Sequence, residues 1–370
     1  MKSIQIIKPA APAPSLEPPA ASRQPQAVSL QASAAPRALV TGATGFVGSH
    51  LVERLLAAGV QVMCLVRPSS GRRWLEGLKV RFCEAAFDDA AALAAAAAGM
   101  DYVFHVAGLT RARSLAAYLA VNERCTQAML AAATAGGRAV RRFVYVSSLA
   151  AVGPAPTEQP LDESAPANPL GFYGQSKLAG ERACLAAAAS AAGKLPVTII
   201  RPPAVYGPRD TNFLPLFRTA ARRGIFPFIG SPENQLSLLH VSDLAEGIWQ
   251  AASSPAAAGQ TYFLGSGTHS QGQFADALGA ALGAAAGAKP LRRVRIPRLL
   301  AKLVGELGEL KWTLTGKPQI ISRRKIRDAL QPRWTCTWAR AQREIGYRPR
   351  VELVEGLRAA AQWYRQQGWL

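Results

Sequence analysis

Two side chains four residues apart carry the first chemical signal. In Tyr173-Gly174-Gln175-Ser176-Lys177 the run opens a helix, so the phenol of Tyr173 and the ammonium of Lys177 share one face. A phenol with a pKa of about 10 is a poor base at neutral pH, but a neighbouring cation favours the phenolate. The pair could therefore move a proton to or from a substrate oxygen, with Tyr173 as acid or base and Lys177 tuning it. Upstream, residues 142–148 read Arg-Phe-Val-Tyr-Val-Ser-Ser, a strand-like run that delivers two hydroxyls to its C-terminal end. A serine there could bind and polarise a carbonyl or alcohol oxygen, and Ser148 and Ser147 compete for that role.

A Tyr-x-x-x-Lys spacing alone is common on helix surfaces, so what precedes it matters. The strand 38–40 runs into Thr41-Gly42-Ala43-Thr44-Gly45-Phe46-Val47-Gly48, followed at helical spacing by Leu51, Val52, Leu55 and Leu56. Gly42 permits the tight turn, Gly45 lets backbone N–H groups approach a pyrophosphate, and Gly48 lets the helix pack close to the strand. The positive end of that helix then faces the phosphates. A glycine triad in this strand-turn-helix context points to dinucleotide binding. An Asp or Glu about 20 residues further on usually holds the adenosine ribose hydroxyls. Here no acidic residue stands between Glu53 and Glu76; the second strand ends Leu65-Val66-Arg67, and Arg72 and Arg73 follow. A guanidinium suits a ribose 2′-phosphate, which favours NADP(H) over NAD(H). The alternative is that Arg67 is a surface residue and the site takes either.

The elements that must position these groups alternate. From Arg37 onward, β-branched runs near 38–41, 61–66, 79–84, 101–106, 142–147, 197–201 and 261–264 are separated by Ala- and Leu-rich helical patterns. That order predicts an α/β fold, a doubly wound parallel sheet of Rossmann type with a smaller C-terminal substrate-binding region. Residues 90–98 read as a crossover helix capped by Asp88 or Asp89. Residues 1–35, rich in Pro and Ala, read as a disordered tail without the apolar run of a secretory signal. Residues 36–206 form the expected dinucleotide-binding core. Residues 207–370 form mainly the substrate-binding region, with a strand and helices returning to the core.

Composition narrows the classes further. The chain has 370 residues, 49% hydrophobic and 18% charged, and a net charge of +20. Its longest nearly uncharged apolar stretch, 90–100, is too short to span a bilayer. Five cysteines, Cys64, Cys83, Cys125, Cys184 and Cys336, form no C-x-x-C pair, which suits a reducing cytoplasm and no metal site. Residues 289–370 hold 19 basic and six acidic side chains. With no helix-turn-helix, zinc-finger or RNP-like pattern, a solvated Arg-rich surface is expected rather than a nucleic-acid interface. Anionic lipid or an acidic ligand is the alternative. After Pro297 come Leu299, Leu300, Leu303, Val304, Leu307 and Leu310 at helical spacing. Such a stripe reads first as a helix packed on its own domain, and otherwise as a membrane-surface or lipid-gating helix. Trp312, Trp334 and Trp338 either line the same region or fill core.

In combination, the motifs of residues 37–370 resemble those of the extended short-chain dehydrogenases/reductases. That superfamily includes the NAD-dependent epimerase/dehydratases and the 3β-hydroxysteroid dehydrogenases. Tyr173 and Lys177 match its Y-x-x-x-K motif and residues 41–48 its glycine motif. Ser148 matches its catalytic serine when residues 148–153 are aligned on the family's glycine, with Ser147 the competing assignment. Ala107, in Phe104-His105-Val106-Ala107-Gly108, resembles the segment beside the cofactor, and Asn122 the family's helix asparagine. Pro202 lies in Arg201-Pro202-Pro203-Ala204-Val205-Tyr206-Gly207-Pro208, similar to the segment that passes the nicotinamide.

The resemblance implies NADP(H) or NAD(H) held by Gly42, Thr44, Gly45, Phe46, Val47, Gly48, Arg67, Ala107, Asn122, Lys177 and Pro202. It also implies that Lys177 holds the nicotinamide ribose. His50 and His105 are expected to pack or to sit beside the cofactor, and His240 to be structural. Two departures bear on ligands. Where the family often has Gly-Asp-Leu with an adenine-contacting Asp, this chain has Ala85-Ala86-Phe87; where nucleotide-sugar members carry a diphosphate-binding Arg, it has Gln235-Leu236-Ser237-Leu238-Leu239. For that lost cation, Arg209, Arg218, Arg222 or Arg223 could substitute. The expected function is hydride transfer between a nicotinamide cofactor and a hydroxyl or keto group of a hydrophobic, sterol- or lipid-like substrate. A nucleotide-sugar epimerase or dehydratase is the alternative. A non-enzymatic dinucleotide sensor is the third, against which the retention of Tyr173 and Lys177 counts. A cytoplasmic enzyme, homodimeric by resemblance and with peripheral membrane contact as an option, completes the expectation.

Overall fold

The computed structural model describes residues 35–135, 139–190, 195–283, 291–315 and 323–370. The expected tail, residue 35 apart, lies outside the described residues. The first six strands are β1 (Arg37–Thr41), β2 (Gln61–Val66), β3 (Val80–Glu84), β4 (Tyr102–His105), β5 (Arg142–Val146) and β6 (Val197–Arg201). With β10 (Thr261–Phe263) they form one sheet in the order β10-β6-β5-β4-β1-β2-β3. Every pairing is parallel. This is the doubly wound α/β sheet that the alternation predicts.

Both faces of the sheet are covered, which is why its strands are almost continuously apolar. Ala38, Val40, Phe104, Val144 and Ile200 pack towards α1 (Phe46–Ala57), α7 (Val241–Ser253) and α11 (Ala339–Ile345). Leu39, Val103, Phe143, Val197 and Ile199 pack towards α2 (Ala90–Ala97), α4 (Cys125–Ala135) and α5 (Phe172–Ala189). The alternation along each strand follows the period of two. Helix α2 returns the chain from β3 to β4, and its Asp89 side chain accepts a hydrogen bond from the Ala92 N–H at 2.9 Å. Strand order therefore reverses between β1 and β4, the place where sheets of this kind open a crevice at the carboxyl ends of their strands.

The later chain adds two smaller sheets. Strands β7 (Ala204–Tyr206), β11 (Gly267–Ser270) and β13 (Arg333–Trp334) all pair with β9 (Gln235–His240), and β8 (Ile225–Ile229) pairs with β12 (Arg292–Ile296). Helices α6 (Leu214–Arg223), α8 (Gln271–Leu282) and α12 (Leu353–Gln366) enclose a separate apolar cluster around Phe217, Phe274, Leu357 and Tyr364. Asp243 of α7 ties this region to the main sheet by accepting the backbone N–H groups of Arg350 and Val351.

The leucine stripe corrects the first sequence expectation. It lies on α9 (Arg298–Thr315), but Leu299, Leu300, Leu303, Val304 and Leu307 are exposed; the side chain of Leu310 lies outside the described residues. The packed face is instead Ala301, Gly305 and Trp312. A Cβ at Gly305 would stand 3.1 Å from Cα of Arg323, so its absence lets α10 (Arg323–Ala329) approach closely. Among the described residues, no helix is long and apolar enough to cross a membrane.

Candidate active site

A cavity of about 1480 Å³ opens over the carboxyl ends of β1 to β6. Its floor at one end is the glycine turn: Gly42, Thr44, Gly45, Phe46, Val47 and Gly48 all line it. Gly42 has φ of 69°, and a Cβ there would lie 2.7 Å from the Ala107 N, so the position demands glycine twice over. At Gly48 a Cβ would meet the Gly42 carbonyl oxygen at 2.1 Å. Gly45 begins α1 with no side-chain cap, and no acidic residue occupies the first turn. The N–H groups of that turn thus face the cavity without a competing anion, a set of donors that fits a pyrophosphate. Thr41 braces the turn from behind: its hydroxyl accepts the Ala107 N–H at 3.2 Å and shares a 2.9 Å hydrogen bond with His105 Nδ1.

Arg67 directly follows β2 as an exposed residue on the cavity wall. The other two arginines of that stretch are engaged elsewhere. Arg72 is paired with Glu84 and lies over Phe82, while Arg73 stacks on Trp74 and Trp369. Asp88, one position beyond Ala85-Ala86-Phe87, lines the same end, so a carboxylate is available beside the cavity despite the altered motif. Ala107 and Pro202 also line the cavity.

Asn122 does not reach the cavity wall. It is fully buried in the π-helical turn Ala120–Arg124. Its Oδ1 accepts the Leu109 N–H at 2.7 Å, and its Nδ2 donates to the Leu109 carbonyl and to Ser176 Oγ, both at 2.9 Å. Asn122 thus fixes the chain after β4 relative to α5, and contact with a cofactor would be indirect.

Tyr173 and Lys177 sit in the first two turns of α5 and both line the cavity with Ser148. Burial raises the Tyr173 phenol above its ordinary pKa of 10, the Ser148 hydroxyl pulls it back by hydrogen bonding, and Tyr118 adds to the rise. The phenol is therefore protonated at neutral pH. The tuning of Tyr173 by Lys177 expected from the spacing is not among the influences resolved on the phenol. Lys177 is buried, its Nζ donating to the Val146 carbonyl at 2.7 Å and lying 4.2 Å from the Tyr145 ring centre. Burial lowers its pKa to about 8, opposed by the nearby Glu181 carboxylate.

The two serines separate cleanly. Ser147 also lines the cavity, but its hydroxyl donates to Glu181 Oε1. Ser148 caps the short turn Leu149–Ala151 by accepting the Ala150 N–H at 3.1 Å and is the serine beside Tyr173. Behind them Arg201 grips Glu181 through two hydrogen bonds, of 3.0 and 2.7 Å. The sequence reading missed this buried Ser147-Glu181-Arg201 network. Its signal was Glu181 at i+4 from Lys177, on the same helix face.

None of the histidines faces the reaction space. His105 is fully buried between Thr41 and Thr126, and burial lowers its pKa to about 3. His50 Nδ1 hydrogen-bonds with the Phe46 carbonyl at 2.9 Å, and His240 caps α7 through Ser242. The proposed substitutes for a diphosphate-binding Arg are likewise absent from the cavity wall. Arg209 bonds Glu53, Arg218 donates to the Trp369 carbonyl, and Arg222 and Arg223 are exposed at the end of α6.

Away from the glycine turn the cavity is lined by Ala112, Tyr118, Pro203, Val205 and Trp312 and by the polar Thr110, Thr211 and Asp328, with Arg111 and Asn212 joined at 2.6 Å. Trp312 comes from α9, on the face opposite the exposed leucines. Trp334 and Trp338 lie elsewhere: Trp334 donates to the Asp328 carbonyl in a small cluster, and Trp338 packs against the main core.

Comparison with known proteins agrees with this geometry. Residues 38–265 match the NAD dependent epimerase/dehydratase family. The chain is 34% identical over 335 residues to ceramide reductase of Caulobacter vibrioides, covering 90% of this chain and 95% of that protein. It is 30% identical over 329 residues to the 4-hydroxy-2-methyl-3-oxo-4-farnesyl-3,4-dihydroquinoline-1-oxide ketoreductase of Stigmatella aurantiaca, covering 88% and 96%. Among solved structures, DesIV, the dTDP-glucose 4,6-dehydratase of Streptomyces venezuelae with NAD bound, superposes with a TM-score of 0.71 at 26% identity, covering 90% and 98%. A family match over most of the folded chain, joined to two relatives aligned nearly end to end, settles its kinship: the chain belongs to the NAD-dependent epimerase/dehydratase family of extended short-chain dehydrogenases/reductases, whose members are NAD(P)-dependent.

Proposed function

We propose that this oxidoreductase is an NADP(H)-preferring ketoreductase acting on a keto group of an amphiphilic, lipid-like substrate. The observation that carries the reading is the convergence of Ser148, Tyr173 and Lys177 on one cavity whose other end is the glycine cradle. When bound, the dinucleotide supplies a hydride. Ser148 and Tyr173 hold the substrate oxygen by hydrogen bonds, and the protonated Tyr173 donates its proton as the carbonyl carbon gains the hydride. The product is an alcohol, and solvent returns a proton to the phenolate. Lys177, ammonium in its buried setting below about pH 8, by resemblance holds the nicotinamide ribose. Ser147, Glu181 and Arg201 keep the ends of β5 and β6 in register with α5.

The substrate class rests on the apolar residues Tyr118, Pro203, Val205 and Trp312 on the cavity wall, beside polar residues of which the Arg111 and Asn212 pair suits a head group. The names of the ceramide and farnesyl-quinoline reductases support the same chemistry. Preference for NADP(H) rests on Arg67 at the end of β2 with no acidic residue following before Glu76. A nucleotide-sugar epimerase or dehydratase is the second reading, favoured by Arg111 as a cation on the cavity wall and by the likeness to DesIV. Replacing Tyr173 with Phe tests the mechanism. Turnover should fall by roughly a thousandfold or more with dinucleotide affinity unchanged, and turnover within about tenfold of wild type would remove Tyr173 as the acid.

A further inference from the structure

Of the eight large hydrophobic side chains exposed among the described residues, six lie on α9: Leu299, Leu300, Leu303, Val304, Leu307 and Leu314. Leu299 and Leu314, at the two ends, are 81% and 77% exposed, whereas Ala301 and Trp312 on the opposite side are 2% and 6% exposed. At 100° per residue the six fall within a sector of about 140°, with Lys311 near its edge. A cluster of this kind on a folded chain marks a surface that meets something apolar. What it meets is indicated by charge. Arg298, Lys302 and Lys311 are exposed on the same helix, and residues 292–327 hold eleven basic side chains against two acidic ones. One of those two, Glu306, is paired with Arg323.

We propose that the outer face of α9 docks this protein on an anionic lipid bilayer. Apolar side chains entering the acyl boundary and Lys/Arg side chains at head-group level are the features of an in-plane interfacial helix. A second copy of the chain is a poorer occupant, because a two-fold contact would press two such basic rims together. The same helix turns Trp312 into the cavity. A docked enzyme therefore has only the thickness of α9 between the lipid phase and its substrate end, and an amphiphilic ketone enters from the bilayer side. That second step rests on the ketoreductase reading; the docking itself does not.

The test is flotation of the full chain, loaded with NADP(H), on vesicles of phosphatidylcholine alone and of phosphatidylcholine with about one-third phosphatidylglycerol. Wild type should float with the mixed vesicles and release as salt is raised. The double variant Leu303→Glu/Leu307→Glu should bind roughly tenfold or more weakly, with unchanged dinucleotide binding and unchanged circular dichroism. Lys302→Glu/Lys311→Glu should lose the preference for anionic vesicles. Absence of wild-type binding, equal binding by Leu303→Glu/Leu307→Glu, or a dimer in sedimentation that this variant dissolves would each overturn the proposal. Tyr173→Phe should float as wild type does. Flotation without ketone reduction by any amphiphile would uphold docking and sink the reductase reading, and reduction without flotation would do the reverse.

Discussion

Lys177 is the residue whose environment makes the sharpest demand on pH. Burial lowers its pKa to about 8 while the Glu181 carboxylate resists the fall, so the ammonium is present below that value and is lost as pH rises through it. For reduction, kcat/KM for the dinucleotide, which reports the free enzyme, should be level below about pH 8 and decline by about tenfold per pH unit above it. A profile flat to about pH 9.5 would show that the Lys177 charge is not required. Arg67 makes a second prediction. Arg67→Asp should lower the NADPH-to-NADH ratio of kcat/KM by roughly tenfold or more, as a carboxylate repels the 2′-phosphate and accepts the ribose hydroxyls. An unaltered ratio would clear Arg67 of that role. Both residues are singled out in the sequence by a local spacing, a helix face for Lys177 and a strand end for Arg67. Glu181 was not singled out, and Asn122 was named only by resemblance, as a cofactor contact. Asn122 meets Ser176 across 54 residues of sequence and Glu181 meets Arg201 across 20, and only the fold brings those partners together.

At the scale of elements, the glycine turn shows how backbone geometry writes itself into sequence. Gly48 stands where a Cβ would sit 2.1 Å from a backbone oxygen, which no side-chain rearrangement relieves. Gly48→Ala should push α1 away from β1 and weaken dinucleotide binding by at least about tenfold, read by titration of NADPH fluorescence. Near-native affinity would mean that the first turn of α1 is not the phosphate cradle. The seven strands of the main sheet were legible almost to the residue, since a sheet covered on both sides needs apolar runs bounded by turns, whereas the strands of the two smaller sheets were not. The orientation of α9 was not. Its leucine stripe announces an amphipathic helix, but the stripe does not say which side packs. The answer came from Gly305, whose missing Cβ admits α10, and from Trp312, which needed a cavity wall.

One cavity holds both the glycine turn and the cluster of Ser148, Tyr173 and Lys177, in a molecule whose C-terminal part is rich in positive charge. The doubly wound sheet fixes the first, because the order reversal between β1 and β4 opens the crevice into which Gly42 and Ala107 project. Helix α5 fixes the second, carrying Tyr173 and Lys177 past the end of β5, where Ser148 waits. Arg111 after β4, Asn212 before α6 and Trp312 of α9 line the rest of the cavity. The most direct measurement of the central claim uses NADPH deuterated at nicotinamide C4, offered with a panel of amphiphilic long-chain ketones. The account predicts an alcohol product carrying one deuterium at the former carbonyl carbon, with one NADPH consumed per product. Purified protein that releases about one NAD per chain on denaturation, and that transfers no deuterium to any ketone while interconverting nucleotide sugars, would contradict it.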